Sequence, residues 1–152
     1  MEEVKAIGRN LQISTKQSFE IANFIRNKPI KTVKRILNDV IKQKIAVPYN
    51  RYRRDTGHKA GMAAGRYPIT ASKKILSLVN SVEKNAEHHG LNVNNLVISY
   101  LSVDKGSTQW HFGRKRRRKM KNTNIEIRVK EKSPSEKTLR KEKTPEKKEV
   151  KK

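Results

Sequence analysis

The sequence predicts an α+β protein in which three helices pack on a small antiparallel sheet that carries a long protruding β-hairpin. Three observations support this fold class. Apolar residues recur at helical spacing in three segments that precede Gly90. After Gly90 the apolar period changes to two, as in β-strands. A long and strongly basic connection, residues 104 to 124, then separates two of these strands.

The first helix is predicted to begin in the stretch Ser14 to Gln17, which reads as a Ser-x-x-Gln capping box. In that motif the serine side chain accepts a free backbone N–H and the glutamine reaches back toward it. Ile21 and Ile25 follow at helical spacing. Leu11 and Ile13 are expected to supply a short strand before this helix.

The second helix carries the most regular apolar face in the chain. Pro29 or Thr32 is expected to open it, because proline disfavours helical geometry in the residue before it and suits the first turn of a helix. Pro48 ends it. Its apolar positions follow the spacing i, i+3, i+4, i+7 and i+8, and they are Val33, Ile36, Leu37, Val40 and Ile41.

The third helix is predicted between Thr70, as the N-cap, and Gly90, at the position where helices commonly end with a glycine. Two strands follow. The run from Leu96 to Val103 is apolar on both faces and is therefore predicted to be the central strand. The run from Ile125 to Val129 alternates with Glu126 and Arg128, which predicts a strand with one wet face.

The composition points to a polyanionic partner. The chain has 37 Lys+Arg against 14 Asp+Glu, a formal net charge of +23 in 152 residues. Most of this excess lies before Lys130, so we expect one basic domain over residues 1–130 and a charged, disordered tail over residues 131–152. The chain has no cysteine and no apolar segment long enough for a membrane span. We therefore expect a soluble intracellular protein that uses no metal or other cofactor.

The connection between the last two strands is the first candidate binding segment. It has no core of its own, so we expect it to become ordered on an anionic partner. Aromatic side chains at its start can stack on bases. The alternatives are a solvated face or a nuclear-localisation signal. The candidate residues are Trp110, His111, Arg114, Lys115, Arg116, Arg117, Arg118, Lys119 and Lys121.

The second candidate segment is residues 48 to 69, which lack a sustained period and mix arginines with tyrosines and glycines. Planar side chains interleaved with cations suit irregular RNA better than duplex. The alternative is an ordinary mobile loop whose tyrosines are tucked onto the core. The candidate RNA-binding residues are Arg51, Arg53, Arg54, His58, Lys59 and Arg66.

Enzymatic functions gain no support from the sequence. His88 and His89 are adjacent, so their side chains point in different directions, and their place at a helix end favours a role near the dipole. The glycines of residues 61 to 65 lack the Gly-Lys-Ser/Thr ending of a phosphate-binding loop. We therefore expect a binding protein and not an enzyme.

The order of these features resembles one known family. The segments that carry the resemblance are STKQSFEIANFIRNKPIKTVKRILNDVIKQKIAVPYNRY, GRYPITASKKILSLVNSVEKNAEHHGLNVNNLVISYLSVDKG and NTNIEIRV, which together cover nearly all of residues 6 to 130. They are similar to the universal large-subunit ribosomal protein number 22 family, whose archaeal and eukaryotic form is also numbered 17. The stretch His111 to Arg114 resembles the Ala-x-Gly-Arg signature at the tip of that family's hairpin.

The resemblance implies a structural constituent of the large ribosomal subunit, located in the cytoplasm. It implies contacts with large-subunit rRNA, with neighbouring large-subunit proteins and, near the hairpin tip, with the nascent chain, so that the hairpin of residues 104–124 helps form the wall and exit region of the polypeptide tunnel. The arm from Lys105 to Gly113 is shorter than the family pattern and carries fewer basic residues. Its charge is concentrated after Gly113 instead.

Two other functions remain open from the residues alone. A small basic chromosomal DNA-binding protein would match the net charge, but it requires a recognition helix with base-reading side chains. A nucleic-acid chaperone driven by the tail would depend on residues 130 to 152 and not on residues 104 to 124.

Overall fold

The computed structural model describes residues 3–132 and has an α+β architecture, as the sequence predicts. A three-stranded sheet is covered on one face by three helices, and a two-stranded ribbon lies in the connection between the second and third helices. The elements are β1 (Glu3–Leu11), α1 (Thr15–Ile25), α2 (Ile30–Ile41), β2 (Val47–Pro48), β3 (Gly65–Arg66), α3 (Ile69–His88), β4 (Leu96–Lys105) and β5 (Thr123–Glu131).

The main sheet is antiparallel with the strand order β1-β5-β4, so the last strand is the central one. The prediction that Leu96 to Val103 forms the central strand is therefore wrong. The outer edge of β4 is partly covered by the turn between α1 and α2, because Ile98 N–H donates to the Lys28 carbonyl at 3.2 Å. Arg26 Nη2 also donates to the Leu101 carbonyl at 3.0 Å. These contacts satisfy backbone groups on the free edge of this strand.

β1 is longer than predicted and does not include Ile13, which is buried just after the strand. Its inward positions carry small side chains, because α3 packs closely against them. A Cβ added to Gly8 would lie 2.8 Å from Leu78 Cδ1. The short strand expected around Leu11 and Ile13 is thus the end of a nine-residue strand.

One hydrophobic core lies between the sheet and the helices. The predicted apolar face of α2 is confirmed, since Val33, Leu37 and Val40 are fully buried. The inward side of β5 supplies Ile125, Ile127 and Val129. Removing such side chains from water is the main favourable term in folding.

The helix starts differ from the predictions. Ser14 is the N-cap of α1, but its side chain makes no capping hydrogen bond with any described residue. α3 begins at Ile69 with Pro68 as its N-cap, so Thr70 does not cap it. The proposal that Pro29 opens the second helix is confirmed, because Pro29 is the N-cap of α2.

The end of α3 is the glycine stop that the sequence predicts. Gly90 has φ +73°, a conformation that L side chains rarely adopt. Gly90 N–H donates to the Glu87 carbonyl at 3.0 Å, and Leu91 N–H donates to the Ala86 carbonyl at 3.0 Å. These two bonds form a Schellman motif, which satisfies carbonyls that the helix leaves free.

A long regular β-hairpin over residues 104–124 is not confirmed. Regular pairing of β4 with β5 ends at Lys105 and Thr123. Beyond this point the two arms are joined by an isolated bridge between Trp110 and Lys119 and by a few backbone hydrogen bonds. The projection of this segment therefore stays a prediction.

β5 extends through Glu131, one residue beyond the predicted domain boundary. The rest of the predicted tail, residues 133 to 152, lies outside the described residues. Among the helices of the described part of the chain, none is long and apolar enough to cross a membrane.

Candidate nucleic-acid interface

The sequence-predicted RNA-binding residues lie at the surface. All of them are exposed except His111, which is half-buried. Trp110 is 59% exposed and Phe112 is 86% exposed, although both are large and apolar. Exposed aromatic side chains beside a dense group of cations are typical of surfaces that stack on unpaired bases.

The connection between β2 and β3 is anchored by a buried carboxylate. Glu20 on α1 is only 1% exposed. Its Oε1 accepts the backbone N–H groups of Arg51 at 3.0 Å and Tyr52 at 2.7 Å, and its Oε2 accepts that of Asn50 at 3.1 Å. A buried charge is stable only when it is hydrogen-bonded, and here three backbone donors satisfy it. Glu20 therefore fixes the backbone that carries the first arginines of the candidate site.

Aromatic and guanidinium groups stack where this loop meets α1. The rings of Phe19 and Tyr52 meet edge to face, with centroids 5.4 Å apart and an interplanar angle of 83°. The Arg51 guanidinium lies 4.9 Å from the Phe19 ring centroid and 5.4 Å from that of Tyr52. This cation–π arrangement leaves Arg51 exposed but restricts its position.

Tyr49 agrees with the alternative interpretation of this loop, in which the tyrosines pack on the core, because only 3% of its surface is exposed. Burial raises the pKa of the Tyr49 hydroxyl above its ordinary value of 10.0, while Arg66 and Arg53 oppose that shift. The hydroxyl is thus neutral at physiological pH and can donate a hydrogen bond. Arg53 itself has φ +56°, a left-handed conformation that is uncommon outside glycine.

The connection between β4 and β5, residues 106–122, folds back on itself. His111 N–H donates to the Arg118 carbonyl at 2.9 Å, and Met120 N–H donates to the Gln109 carbonyl at 2.7 Å. The Lys119 ammonium lies 4.7 Å from the Trp110 ring centroid, across the same pair of arms. The turn between the arms is a short 3₁₀ segment, Gly113–Lys115.

No acidic side chain within the described residues pairs with the cations of this turn. Within residues 3–132 there are two ion pairs, Lys34 with Glu83 and Arg128 with Glu126, and both lie elsewhere. A shallow depression of about 380 Å³ at the turn is lined only by residues 113 to 118. Like charges this close repel one another, and an external anion relieves that repulsion.

A larger cleft of about 580 Å³ brings the two candidate segments together. One wall is formed by the first turn of α1 and the loop after β2, and the other by the base of residues 106–122. Arg53 comes from the loop after β2, and Lys119 and Lys121 come from the connection between β4 and β5. No acidic residue lines the cleft among the described residues.

Sequence reasoning missed two cations of this cleft, Lys16 and Lys105. Lys16 lies in the first turn of α1, within the stretch whose sequence pattern predicts a capping box. Lys105 is the last residue of β4. Both lysines lie at the end of an element that borders a basic loop, and this placement could have identified them from the sequence.

His58, Lys59 and Arg66 share a second concavity of about 460 Å³, which β3 borders. The Lys59 ammonium lies 5.7 Å from the Tyr67 ring centroid. These three residues therefore do not line the same cleft as Arg53 and Lys121. Arg51, Arg54 and the 113–118 turn also lie outside both concavities.

Residues 3–132 contain no group of three or more His, Cys, Asp or Glu side chains placed to hold a metal ion. His88 and His89 lie side by side at the end of α3, with ring centroids 6.4 Å apart. The chemistry that this surface offers is therefore donation of hydrogen bonds and positive charge, together with aromatic stacking.

Comparison with known proteins identifies the family of this chain. A family model described as ribosomal protein L22p/L17e matches residues 6–130. A large ribosomal subunit protein uL22 from Methanoculleus marisnigri is 39% identical over 135 residues, which cover 84% of this chain and 88% of that protein. The uL22 protein of Nanoarchaeum equitans is 41% identical over 137 residues, covering 84% of this chain and 78% of that protein.

A third relative, the uL22 protein of Thermoplasma acidophilum, is 42% identical over 102 residues, which cover 67% of this chain and 68% of that protein. The match to the family model includes both walls of the basic cleft, all three helices and all of the main sheet except the ends of β1 and β5. The resemblance seen in the sequence is confirmed, and with it the expectation of a protein that is not an enzyme. The chain belongs to the ribosomal protein L22p/L17e family.

Proposed function

We propose that this chain, a structural constituent of the large ribosomal subunit, binds large-subunit rRNA through the basic surface around the cleft. It works in the cytoplasm, as part of that subunit, beside neighbouring ribosomal proteins. The residues that we propose as RNA contacts are Arg51, Arg53, Arg54, His58, Lys59, Arg66, Trp110, His111, Arg114, Lys115, Arg116, Arg117, Arg118, Lys119 and Lys121.

The observation that carries this proposal is the convergence of two separate basic segments on one cleft with no acidic lining among the described residues. Lysine and arginine side chains neutralise phosphates and release counterions, which supplies affinity without sequence specificity. Glu20 and the stacked Phe19 and Tyr52 hold the loop after β2 in place before RNA arrives. Preorganisation of this kind reduces the entropy lost on binding.

Residues 106–122 are proposed to reach along the rRNA and to help form the wall and exit region of the nascent-chain tunnel. The support is the exposed aromatic pair Trp110 and Phe112 together with the cations that follow Gly113. In this arrangement the cations face rRNA phosphates, while the apolar rings can contact either bases or the nascent chain. The segment has few backbone hydrogen bonds between its arms, so rRNA contacts would supply most of its order.

The test is incorporation of a charge-reversed variant into the large subunit. Arg116, Arg117 and Arg118 are changed together to glutamate, and the tagged protein is followed on a sucrose gradient after a high-salt wash. Wild-type protein is expected to co-migrate with the large subunit in equimolar amount. The variant is expected in the light fractions, while its circular dichroism shows the helices still folded.

A matched control reverses three exposed lysines on α3, Lys73, Lys74 and Lys84, and so changes the net charge equally. This control is expected to incorporate like the wild type. Equal incorporation of both variants would contradict the proposal that the 113–121 cations contact rRNA. Wild-type protein that leaves the large subunit and prefers duplex DNA to folded RNA in competition would instead favour the chromosomal alternative.

A further inference from the structure

The start of α1, which borders the basic cleft, lacks the groups that usually satisfy a helix N-terminus. The first N–H groups of a helix have no partner within the helix. Ser14, the N-cap, makes no capping bond with its side chain to any residue in the described range, and the first turn contains no acidic residue. Lys16 adds a positive charge near the positive end of the helix dipole. A bound anion would compensate both features.

Two buried polar atoms without partners belong to residues that line the same cleft. They are the hydroxyl oxygen of Tyr49 and Oδ1 of Asn122, neither of which has a hydrogen-bond partner among the residues that the structure describes. Buried polar atoms in proteins nearly always have a partner. Tyr49 is 97% removed from solvent, as its 3% exposure shows. This is an observation independent of the helix start, and it also points to a ligand.

The two atoms require different partners. The Asn122 amide is oriented by its Nδ2 group, which donates to Asn10 Oδ1 at 3.1 Å and to the Ser107 carbonyl at 2.8 Å. Its Oδ1 is therefore an acceptor and needs a donor from the ligand. The Tyr49 hydroxyl and the α1 N–H groups instead suit a phosphate oxygen. An inorganic anion would satisfy the second set only, whereas a ribonucleotide carries phosphate oxygens, a 2′-hydroxyl and base N–H groups.

The size and walls of the cleft fit one nucleotide. Its volume of about 580 Å³ lies within the range of small-ligand pockets. Tyr52, which also lines it, is half-buried and held edge to face against Phe19. Such a fixed ring offers a surface on which a base can stack. Lys16, Arg53 and Lys121 supply positive charge around the opening.

We propose that this cleft binds one unpaired ribonucleotide of RNA, with its phosphate at the N-terminus of α1 and Tyr49 and Asn122 hydrogen-bonded to it. The proposal rests on the RNA-binding function and makes it more specific, because it assigns a single-nucleotide site to a surface otherwise expected to contact phosphates along a strand. Unpaired bases that leave the stack are the parts of RNA that proteins read in detail.

The test titrates the full-length, ¹⁵N-labelled protein with uridine 5′-monophosphate and follows its backbone amide signals by NMR. The amide signals of Thr15, Lys16 and Gln17 and the side-chain amide of Asn122 are expected to shift together and saturably. The 2′-deoxy nucleotide and inorganic phosphate are expected to bind more weakly, because neither offers a 2′-hydroxyl. Shifts confined to residues 114 to 121 would overturn the proposal.

Tyr49→Phe removes one oxygen and keeps the ring, so it separates binding from packing. It is expected to weaken nucleotide binding roughly tenfold while leaving the thermal midpoint unchanged or higher, because a buried hydroxyl without a partner contributes nothing to the fold. Tyr100→Phe is the matched control, since Tyr100 is exposed on β4 and does not line the cleft. A Tyr49→Phe protein that binds the nucleotide as the wild type does would contradict the site.

Lys16→Glu gives a second variant with opposite effects on folding and binding. A carboxylate in the first turn favours the helix dipole, so α1 is expected to be at least as stable, but nucleotide binding is expected to be lost. Lys31→Glu makes the same change in the first turn of α2 and is expected to leave binding intact. If both variants bind alike while wild-type protein still co-migrates with the large subunit, the single-nucleotide site is wrong and the proposed rRNA-binding function stands.

Discussion

Glu20 offers the sharpest prediction about how the interface is built. Glu20→Ala removes the acceptor of three backbone N–H groups, those of Asn50, Arg51 and Tyr52. Each hydrogen bond to a charged group contributes about 1.5–3 kcal/mol, but the exposed loop can reach water once the carboxylate is gone. We therefore expect the free energy of unfolding to fall by about 3–5 kcal/mol, the range for breaking a buried charged network.

Glu20→Gln is a milder substitution at the same position. The carboxamide keeps one oxygen, which can still accept from Arg51 and Tyr52, but it replaces the acceptor of Asn50 with a donor. We expect a loss of about 2 kcal/mol, since one bond is removed and the other two lose the charge of their acceptor. The amide of Asn50 is expected to exchange with solvent faster than that of Tyr52.

The assay is urea unfolding of the full chain at neutral pH, combined with hydrogen exchange of the amides of residues 49 to 54. Glu83→Gln is the control, because it breaks the ion pair with Lys34 at the surface of the helices. Such pairs contribute about 0–1 kcal/mol. A Glu20→Ala protein that unfolds within about 0.5 kcal/mol of the wild type, with unchanged exchange in the loop, would refute the anchoring role.

Two further predictions concern single residues. Gly90→Ala is expected to lower the free energy of unfolding by about 1 kcal/mol because φ +73° strains an L side chain, whereas Gly57→Ala, in open space and without a positive φ, is expected to be neutral in the same urea titration. Burial raises the pKa of Tyr49, so above about pH 10 the unfolded chain ionises this residue before the folded chain does. The wild type should then lose up to about 1.4 kcal/mol per pH unit relative to Tyr49→Phe.

The helices and the inward faces of the strands could be predicted because they depend on local periodicity. The helical spacing of Val33, Leu37 and Val40 predicts a buried face of α2. Gly90 predicts the end of α3, because helices commonly end at a residue with positive φ. The position of a strand within the sheet follows from different information. Apolar residues on both faces of β4 report what covers those faces, whereas its edge position follows from its pairing with β5 alone. Its free edge is bonded by the Lys28 carbonyl and by the Arg26 side chain.

β1 was the least predictable strand for a related reason. Its inward positions include Ala6 and Gly8, and the lack of a side chain at Gly8 makes room for Leu78 of α3. Small residues carry little hydropathy, so the period-two pattern that identifies a strand is weak there. The need for small residues in β1 comes from its close packing on α3, an element far away in the sequence.

The candidate site was predictable in composition but not in assembly. Clusters such as Arg114 to Arg118 are visible in any basic sequence, and they predict an anionic partner from charge alone. The cleft, however, depends on contacts between residues far apart in the chain, and Glu20 reads in the sequence as an ordinary helical carboxylate. Its function became apparent only once the loop of residues 50 to 52 was placed over it.

The two basic segments differ in what holds them in place against repulsion between their like charges. The loop after β2 is held by a buried carboxylate and by stacking of Arg51 on Phe19 and Tyr52, so its backbone and Arg51 are fixed in the free protein. Among the described residues, the turn at residues 113–118 has only its backbone bonds and one side-chain bond, from Arg116 Nε to the Gly113 carbonyl at 3.3 Å, to oppose repulsion. Under the proposed function, RNA binding is therefore expected to restrict the turn more than the loop, so most of the entropy cost falls on the turn. Loop variants should accordingly change affinity through lost contacts, whereas turn variants should also change how much structure forms on binding.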